Sequence, residues 1–352
     1  MTISERLDPR HNSLNLIRLV LATAVIVSHS WPVGGYGDDP GFGGSDVGDW
    51  SVAGFFAISG YLITMSRGDR SRSAVNFFVK RVLRIFPAFL VAMVAVAFVA
   101  GPLYAVITGA GSYDWGSATG YVVHNSLLQV RQWGIDGTLT DAPFPDVWNG
   151  SAWTLYYEFL CYIGIGVLVT LVPRRWVTPA VVVGLVGCTA VTAAAVLGDV
   201  TMRGWIENLA HFGTFFAAGS LLFLLRDRIP LSGVLAAGSG VALAVIVAAG
   251  GFEVVGAVPL AYVMLYLGAA LPFEHIGRTH DLSYGMYIYA FPVQQLMTAV
   301  FPDQRLPVPV YVVLCVAVTV PLAAASWFVV ERPALRLKAR LRSSATPSPV
   351  AV

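Results

Sequence analysis

Charge is what this sequence has least of. Only 12% of its 352 residues are Asp, Glu, Lys or Arg, and 56% are apolar, whereas a soluble domain carries about 25% charged residues. With a mean hydropathy of +0.70, that shortage excludes a water-soluble globule and makes lipid the solvent for much of the surface. A basic excess is also missing. The 22 basic and 20 acidic residues nearly cancel, so no phosphate-neutralising surplus exists and nucleic acid drops out as a partner. Cysteine is scarce: Cys161, Cys188 and Cys315 stand singly inside apolar runs without C-x-x-C spacing. Neither a disulfide framework nor a zinc site is encoded, and no metal is expected. There is no internal repeat of the kind many carriers show, and no second soluble domain.

What the sequence does have is long apolar runs. A bilayer core about 30 Å thick needs about 20 apolar residues per helix. By that measure ten spans begin near residues 14, 51, 86, 151, 177, 205, 229, 252, 282 and 308. The fold class is therefore all-α, a polytopic membrane protein of about ten transmembrane helices. Lys and Arg stay on the cytoplasmic side. With the N-terminus inside, 19 of the 22 basic residues fall in cytoplasmic segments, and Arg131, Arg203 and Arg305 fall outside. Both termini are thus expected in the cytoplasm, with residues 1–342 as one transmembrane domain and 343–352 as a disordered tail. The loops 31–50 and 111–150 are expected to shape an outer vestibule, the second with an interfacial helix around Tyr121 to Val130.

Ionisable residues inside a span are costly and point to function. Arg18 and His29 are eleven residues apart in the first span, which puts them on one helix face with a rise of about 16 Å. A cation low and an imidazole high would suit a long ligand lying along the helix. Snorkelling to the interface explains Arg18 equally well, and a hydrogen-bonded structural histidine explains His29. Glu158 lies about two turns into the fourth span, at a depth comparable with His29, where it could hold the imidazole ring as a base or form a structural ion pair. Glu207 and His211, at i, i+4 spacing, form a second candidate dyad. On the cytoplasmic side, FFVKRVLRIFP puts Arg81 and Arg84 on one helix face. Guanidinium forks grip phosphate bidentately, although basic residues at this boundary also serve anchoring and anionic-lipid contact. Ser59 and Gly60 make a small-residue notch that suits helix packing.

Six stretches together resemble the bacterial membrane-bound acyltransferase 3 family over nearly the whole chain. They are Arg18-x10-His29, Phe55 to Ile63, Arg81-x-x-Arg84, Trp153-Thr154-Leu155-x-x-Glu158, Ser283-Tyr284-x-x-Tyr287, and Glu331-Arg332-Pro333. Ala53 and Ala290 stand where many relatives carry an acidic residue and a histidine. The resemblance implies an O-acyltransferase of the plasma or inner membrane. Its donor would be cytoplasmic acyl-CoA, most commonly acetyl-CoA, with phosphates near Arg18, Arg81 and Arg84 and the thioester reaching towards His29. His29, supported by Glu158, would act on a hydroxyl of a cell-surface or precursor glycan or glycolipid. Trp153 would stack on a sugar ring, unless it anchors at the interface. Two other classes stay open on the residues alone, a transporter or flippase gated by a buried ion pair, and a structural lipid-binding protein. Neither would consume acyl-CoA.

Overall fold

The structure, a computed structural model, describes residues 1–68, 73–109, 111–198, 203–303 and 306–343. Arg70, Arg72, Arg305 and the tail after Ser343 lie outside the described residues. The described chain is mainly helical, with almost no strand. Its main elements are α1 (Leu14–Gly34), α2 (Val47–Gly68), α3 (Ala74–Thr108), α4 (Trp115–Asn125), α5 (Thr154–Leu171) and α6 (Arg174–Leu197). They continue with α7 (Gly204–Leu224), α8 (Gly233–Ala248), α9 (Ala257–Ala270), α10 (Ser283–Val300) and α11, which starts as Val308–Ser326 and runs on through Trp327–Glu331 into Arg332–Ser343. A two-residue hairpin, Gly41–Phe42 with Ser45–Asp46, sits between α1 and α2.

A helix of fourteen or more residues stands at each of the ten places where the sequence predicts a span. Five of them, α1, α3, α5, α6 and α11, are long and apolar enough to cross a membrane. Exposed Val183, Val186 and Leu197 on α6 make sense only with lipid as their solvent. The expected helix near Tyr121 to Val130 begins earlier. Asp114 caps α4 by accepting from the Gly116 and Ser117 amides at 2.8 and 2.9 Å, which fixes the start. Asn125 ends it by turning its Oδ1 to the Arg131 and Gln132 amides.

Two features of backbone chemistry set the core. Where α2 crosses α7, a Cβ on Gly60 would stand 2.0 Å from the Phe216 carbonyl oxygen, and one on Gly219 would stand 1.9 Å from the Ala57 carbonyl oxygen. Only glycine lets these helices touch, the small-residue logic of helix association in lipid. In α3 and α11 one turn widens into a π-helix, Val96–Ala100 and Trp327–Glu331. A widened turn frees backbone groups and re-aims side chains. The first is patched by the Tyr113 hydroxyl donating to the Ala97 carbonyl at 2.5 Å. The second delivers Trp327 and Glu331 to the site described next.

Candidate active site

Helices α1, α2, α3, α5, α10 and α11 contribute to a column of polar side chains inside an otherwise apolar bundle, with Arg18 towards one end and His29 towards the other. At the Arg18 end, guanidinia from different helices converge on one carboxylate. Arg18 on α1 donates to Asp281 Oδ2 at 2.7 Å, and Arg84 on α3 donates to the same oxygen at 2.5 Å. Arg84 also donates to Glu331 Oε2 at 3.0 Å, a carboxylate only 1% exposed. Asp281 lies in the loop before α10, and its Oδ1 accepts from the Ser283 amide and hydroxyl at 3.2 and 2.6 Å. Burial pushes its carboxyl up, but Arg18 and Arg84, with the Ser283 bonds, outweigh this and hold it well below the usual carboxylate range. Arg84 is further sandwiched between the Tyr284 and Trp327 rings.

Arg81 differs from its neighbour. Its guanidinium lies 5.6 Å from the Phe77 ring and 5.8 Å from the Tyr162 ring. Its buried Nε has no hydrogen-bond partner among the described residues, and none of their carboxylates pairs with it. Of the three arginines singled out in the sequence, Arg18 and Arg84 are neutralised by the protein itself and Arg81 keeps donor capacity. Asp281 was missed. Topology arguments give acidic residues little weight, yet an aspartate two residues ahead of the Ser283-Tyr284 motif was a readable sign of a helix start facing basic side chains. Glu331 is legible in the sequence only through the closing Glu331-Arg332-Pro333 stretch.

Above Arg18 lies a narrow cavity of about 30 Å³, lined by Arg18, Phe55, Glu158, Ser283, Tyr284 and Tyr287 among others. It has room for a water or two. Glu158 reaches this space from α5, accepting from Ser59 Oγ at 2.8 Å and from the Tyr162 hydroxyl. It therefore stands on the arginine side of the column, and the expected pairing of Glu158 with His29 does not form. The reason is depth. The residue that reaches His29 is Ser151, in the turn ahead of α5, whose Oγ is 3.3 Å from His29 Nδ1. Glu158 sits a helical turn deeper than Thr154, about 6 Å further along the axis.

Tyr287 closes the cavity on its upper side. Its hydroxyl is 2.6 Å from Thr154 Oγ1 and donates to the Ser151 carbonyl at 3.0 Å. The column thus runs from the arginines through Glu158 and Tyr287 to Ser151 and His29, and the cavity itself ends at Tyr287. His29 is held otherwise by neutral contacts. Phe291 of α10 meets the ring edge-on at 5.3 Å, and Gln294 ties α10 to α1 by donating to the Ile26 carbonyl at 2.8 Å and to Ser30 Oγ at 2.9 Å. Neighbouring Ser28 donates to Asp39 Oδ1 at 2.8 Å.

The remaining sequence candidates lie elsewhere. His211 Nδ1 faces Glu253 Oε2 at 3.8 Å, so its acidic neighbour comes from the segment before α9, where burial pushes the Glu253 carboxyl up. Trp153 packs against Tyr157 and Phe212 at 5.6 and 5.4 Å between ring centres, continuing to Phe56, which stacks on Phe212 at 4.5 Å. Trp153, partly buried, is held in place by that aromatic stack.

Comparison with known proteins fits the column. The chain is similar to an O-acetyl transferase of Shigella phage Sf6, 29% identical over 302 residues that cover 82% of this chain and 86% of that protein. It is also similar to nodulation protein 10 of Rhizobium leguminosarum bv. viciae, 29% identical over 370 aligned positions, 96% of this chain and 97% of the relative. No solved structure matches. The family described as an acyltransferase domain matches residues 11–328, nearly the whole described chain and all the residues of the column up to Trp327. The chain belongs to this family and is an acyltransferase that moves groups other than aminoacyl groups.

Proposed function

We propose that this protein is a membrane O-acyltransferase that takes an acyl group, most simply acetyl, from acyl-CoA at the Arg18 end and passes it to a hydroxyl of a glycan or glycolipid at the His29 end. In this reading the chain crosses the plasma or inner membrane ten times with both termini in the cytoplasm, and the Arg18 end faces the cytoplasm. The observation that carries the reading is the placement of Arg18 and His29 at two levels of one helix along a single polar column. A phosphate-gripping end and a proton-accepting end then share one axis, as a long donor with its charge at one tip requires.

The chemistry assigns each group a task. Arg81, with its unsatisfied Nε, meets the donor phosphates first, and Arg18 and Arg84 join it by sharing or releasing Asp281. Glu158, Ser59 and Tyr162 line the way for the pantetheine arm. His29 takes the proton from the acceptor hydroxyl, the oxygen attacks the thioester carbonyl, the C–S bond breaks, and the proton passes to the departing thiolate. A first attack by the imidazole itself, giving an acyl-His29 intermediate, uses the same geometry. Ser151 holds Nδ1 and leaves Nε2 to face the reacting atoms. Transfer from labelled acetyl-CoA in proteoliposomes tests the reading. We expect the wild type to transfer and His29→Ala not to, and turnover by His29→Ala at the wild-type rate would overturn it.

A further inference from the structure

At the Arg18 end the molecule carries a cleft of about 530 Å³ to which no residue of the polar column contributes. Its place follows from how three helices end. α2 starts beside the far end of α1, where the Gly48 amide donates to Ser28 Oγ at 3.1 Å, so it finishes at the Arg18 end. α5 and α7 run alongside α2 in the same direction. Ser59 and Arg67 of α2 donate to Glu158 and Thr170 of α5, and Phe56 and Thr64 meet Phe212 and Ser220 of α7. The cleft lies where these three helices end and α6 begins. The N-terminal segment borders it, with the Ser4 amide donating to the Arg226 carbonyl at 3.2 Å.

The lining has two chemistries. Arg174, Arg226 and Thr178 give it a polar side, and Met65, Val169 and Val177 an apolar one. Arg226 is held in position: its Nη1 donates to the Phe223 carbonyl at 3.0 Å, and its guanidinium lies 4.1 Å from the centre of the Phe223 ring. Asp227 is the one acidic residue among the described lining residues, and its exposed carboxylate stands 3.7 Å from Arg226. None of the described carboxylates pairs with Arg174. Arg174 also opens α6, where the helix dipole adds to its positive potential instead of cancelling it. Two cations thus face one solvent-exposed anion. The depth of the cleft is marked by its neighbours. Leu171 and Trp176, which flank Arg174 in sequence, are 75% and 56% exposed. An exposed tryptophan between apolar and basic residues marks the level where lipid tails meet headgroups.

We infer that this cleft binds an anionic phospholipid, with Arg174 and Arg226 holding the phosphodiester and the start of an acyl chain lying against Met65, Val169 and Val177. A basic pocket between helices at this level suits such a headgroup, and the apolar wall beside it has no use for a soluble anion. The site needs only that the chain spans a bilayer, so it stands or falls apart from the reaction proposed above.

The test is native mass spectrometry of the full chain released from detergent, supplied with equal amounts of phosphatidylglycerol and phosphatidylethanolamine bearing the same acyl chains. Phosphatidylglycerol is expected to be retained about tenfold better or more, because no headgroup amine cancels its charge. Arg174→Glu changes an exposed side chain at a helix start that favours the new charge, so the fold is expected to hold. Its retention of phosphatidylglycerol should fall about fivefold or more, the worth of one basic residue at a membrane surface. Arg175→Glu alters an exposed neighbour that does not line the cleft, and should leave retention as in the wild type. Equal retention of the two lipids, undiminished retention in Arg174→Glu, or equal losses in Arg174→Glu and Arg175→Glu would overturn the inference. A large excess of glycerol 3-phosphate or of acetyl-CoA is added in parallel and is expected to leave the lipid bound. Displacement by either would assign the cleft to a soluble phosphate ester and remove the lipid.

Discussion

The two ends of the column are built from different chemistry. At the Arg18 end, Arg18 and Arg84 share one oxygen of Asp281, Arg84 also holds Glu331, and aromatic faces pack against the guanidinia. At the His29 end no carboxylate pairs with the imidazole among the described residues, and position is set by hydroxyl and amide groups bonded to backbone carbonyls. The difference fits what each end must do. Charge is useful where a polyanionic donor has to be recruited, and it can be exchanged for the donor's own charge. A proton acceptor needs a fixed position and an available lone pair, which a hydrogen bond to one ring nitrogen supplies whether or not its partner is charged.

The sharpest way to break the comparison is to remove the imidazole. His29→Ala is expected to lower acyl transfer by at least about 100-fold, the scale of a lost general base or nucleophile, while binding of labelled acetyl-CoA at the Arg18 end stays within a few-fold. Loss of donor binding together with transfer would show that the ends are not separate. Next in size is a change in the packing of α2, which carries Ser59 to Glu158. Gly219→Ala puts a Cβ against the Ala57 carbonyl in the α2–α7 crossing, and is expected to destabilise by about 3 kcal/mol or more, since the clash is with backbone that cannot rotate away. Thermal unfolding in detergent reads it, and an unchanged midpoint would show that the helices can part cheaply.

Asp281 sharpens the charged half. Asp281→Asn leaves Arg18 and Arg84 facing each other, and is expected to cost about 2 kcal/mol at neutral pH, below the ~3–5 kcal/mol of a fully buried broken pair because its side chain is about one-sixth exposed. The pH dependence has a definite sign. The folded-state pKa is depressed, so the stabilisation is complete above the ordinary carboxylate value and disappears as pH falls below it towards the folded value. The gap between wild type and Asp281→Asn should therefore narrow on acidification. A constant gap from pH 7 downwards would mean that the carboxylate is not the group holding the arginines.

How much of this was legible follows the same division. Apolar runs fixed the places of the long helices, because a bilayer demands length and hydropathy in the sequence itself. Arg18, Arg81, Arg84 and His29 stood out because ionisable side chains in apolar runs are rare. Ser151, Thr154, Tyr287 and Gln294 did not stand out as a set. They are neutral and lie far apart in sequence, and they act through backbone carbonyls whose positions exist only in the folded chain. Glu158 is legible as an intramembrane carboxylate but its neighbour is not, because counting from Ser151 treats 151–153 as helix, while in the fold the turn formed by Ser151 to Trp153 precedes α5 and it is Ser151, not Glu158, that reaches His29.

That misplacement yields the finest test. If Ser151 orients His29 and Glu158 belongs to the donor side, the two substitutions separate in kind. Ser151→Ala removes one neutral hydrogen bond, worth about 1 kcal/mol, so kcat is expected to fall about fivefold. The acid limb of the pH–rate profile should move with it, because the imidazole loses the group that favours one ring tautomer, while the KM for acyl-CoA holds. Ser151→Thr, which keeps the hydroxyl, should restore the profile. Glu158→Gln keeps the shape of the cavity and removes its negative charge beside Arg18 and Arg81, so it should change the KM for acyl-CoA and leave the acid limb where it was. A shifted limb in Glu158→Gln, with none in Ser151→Ala, would return the carboxylate to the histidine and collapse the distinction between the two ends.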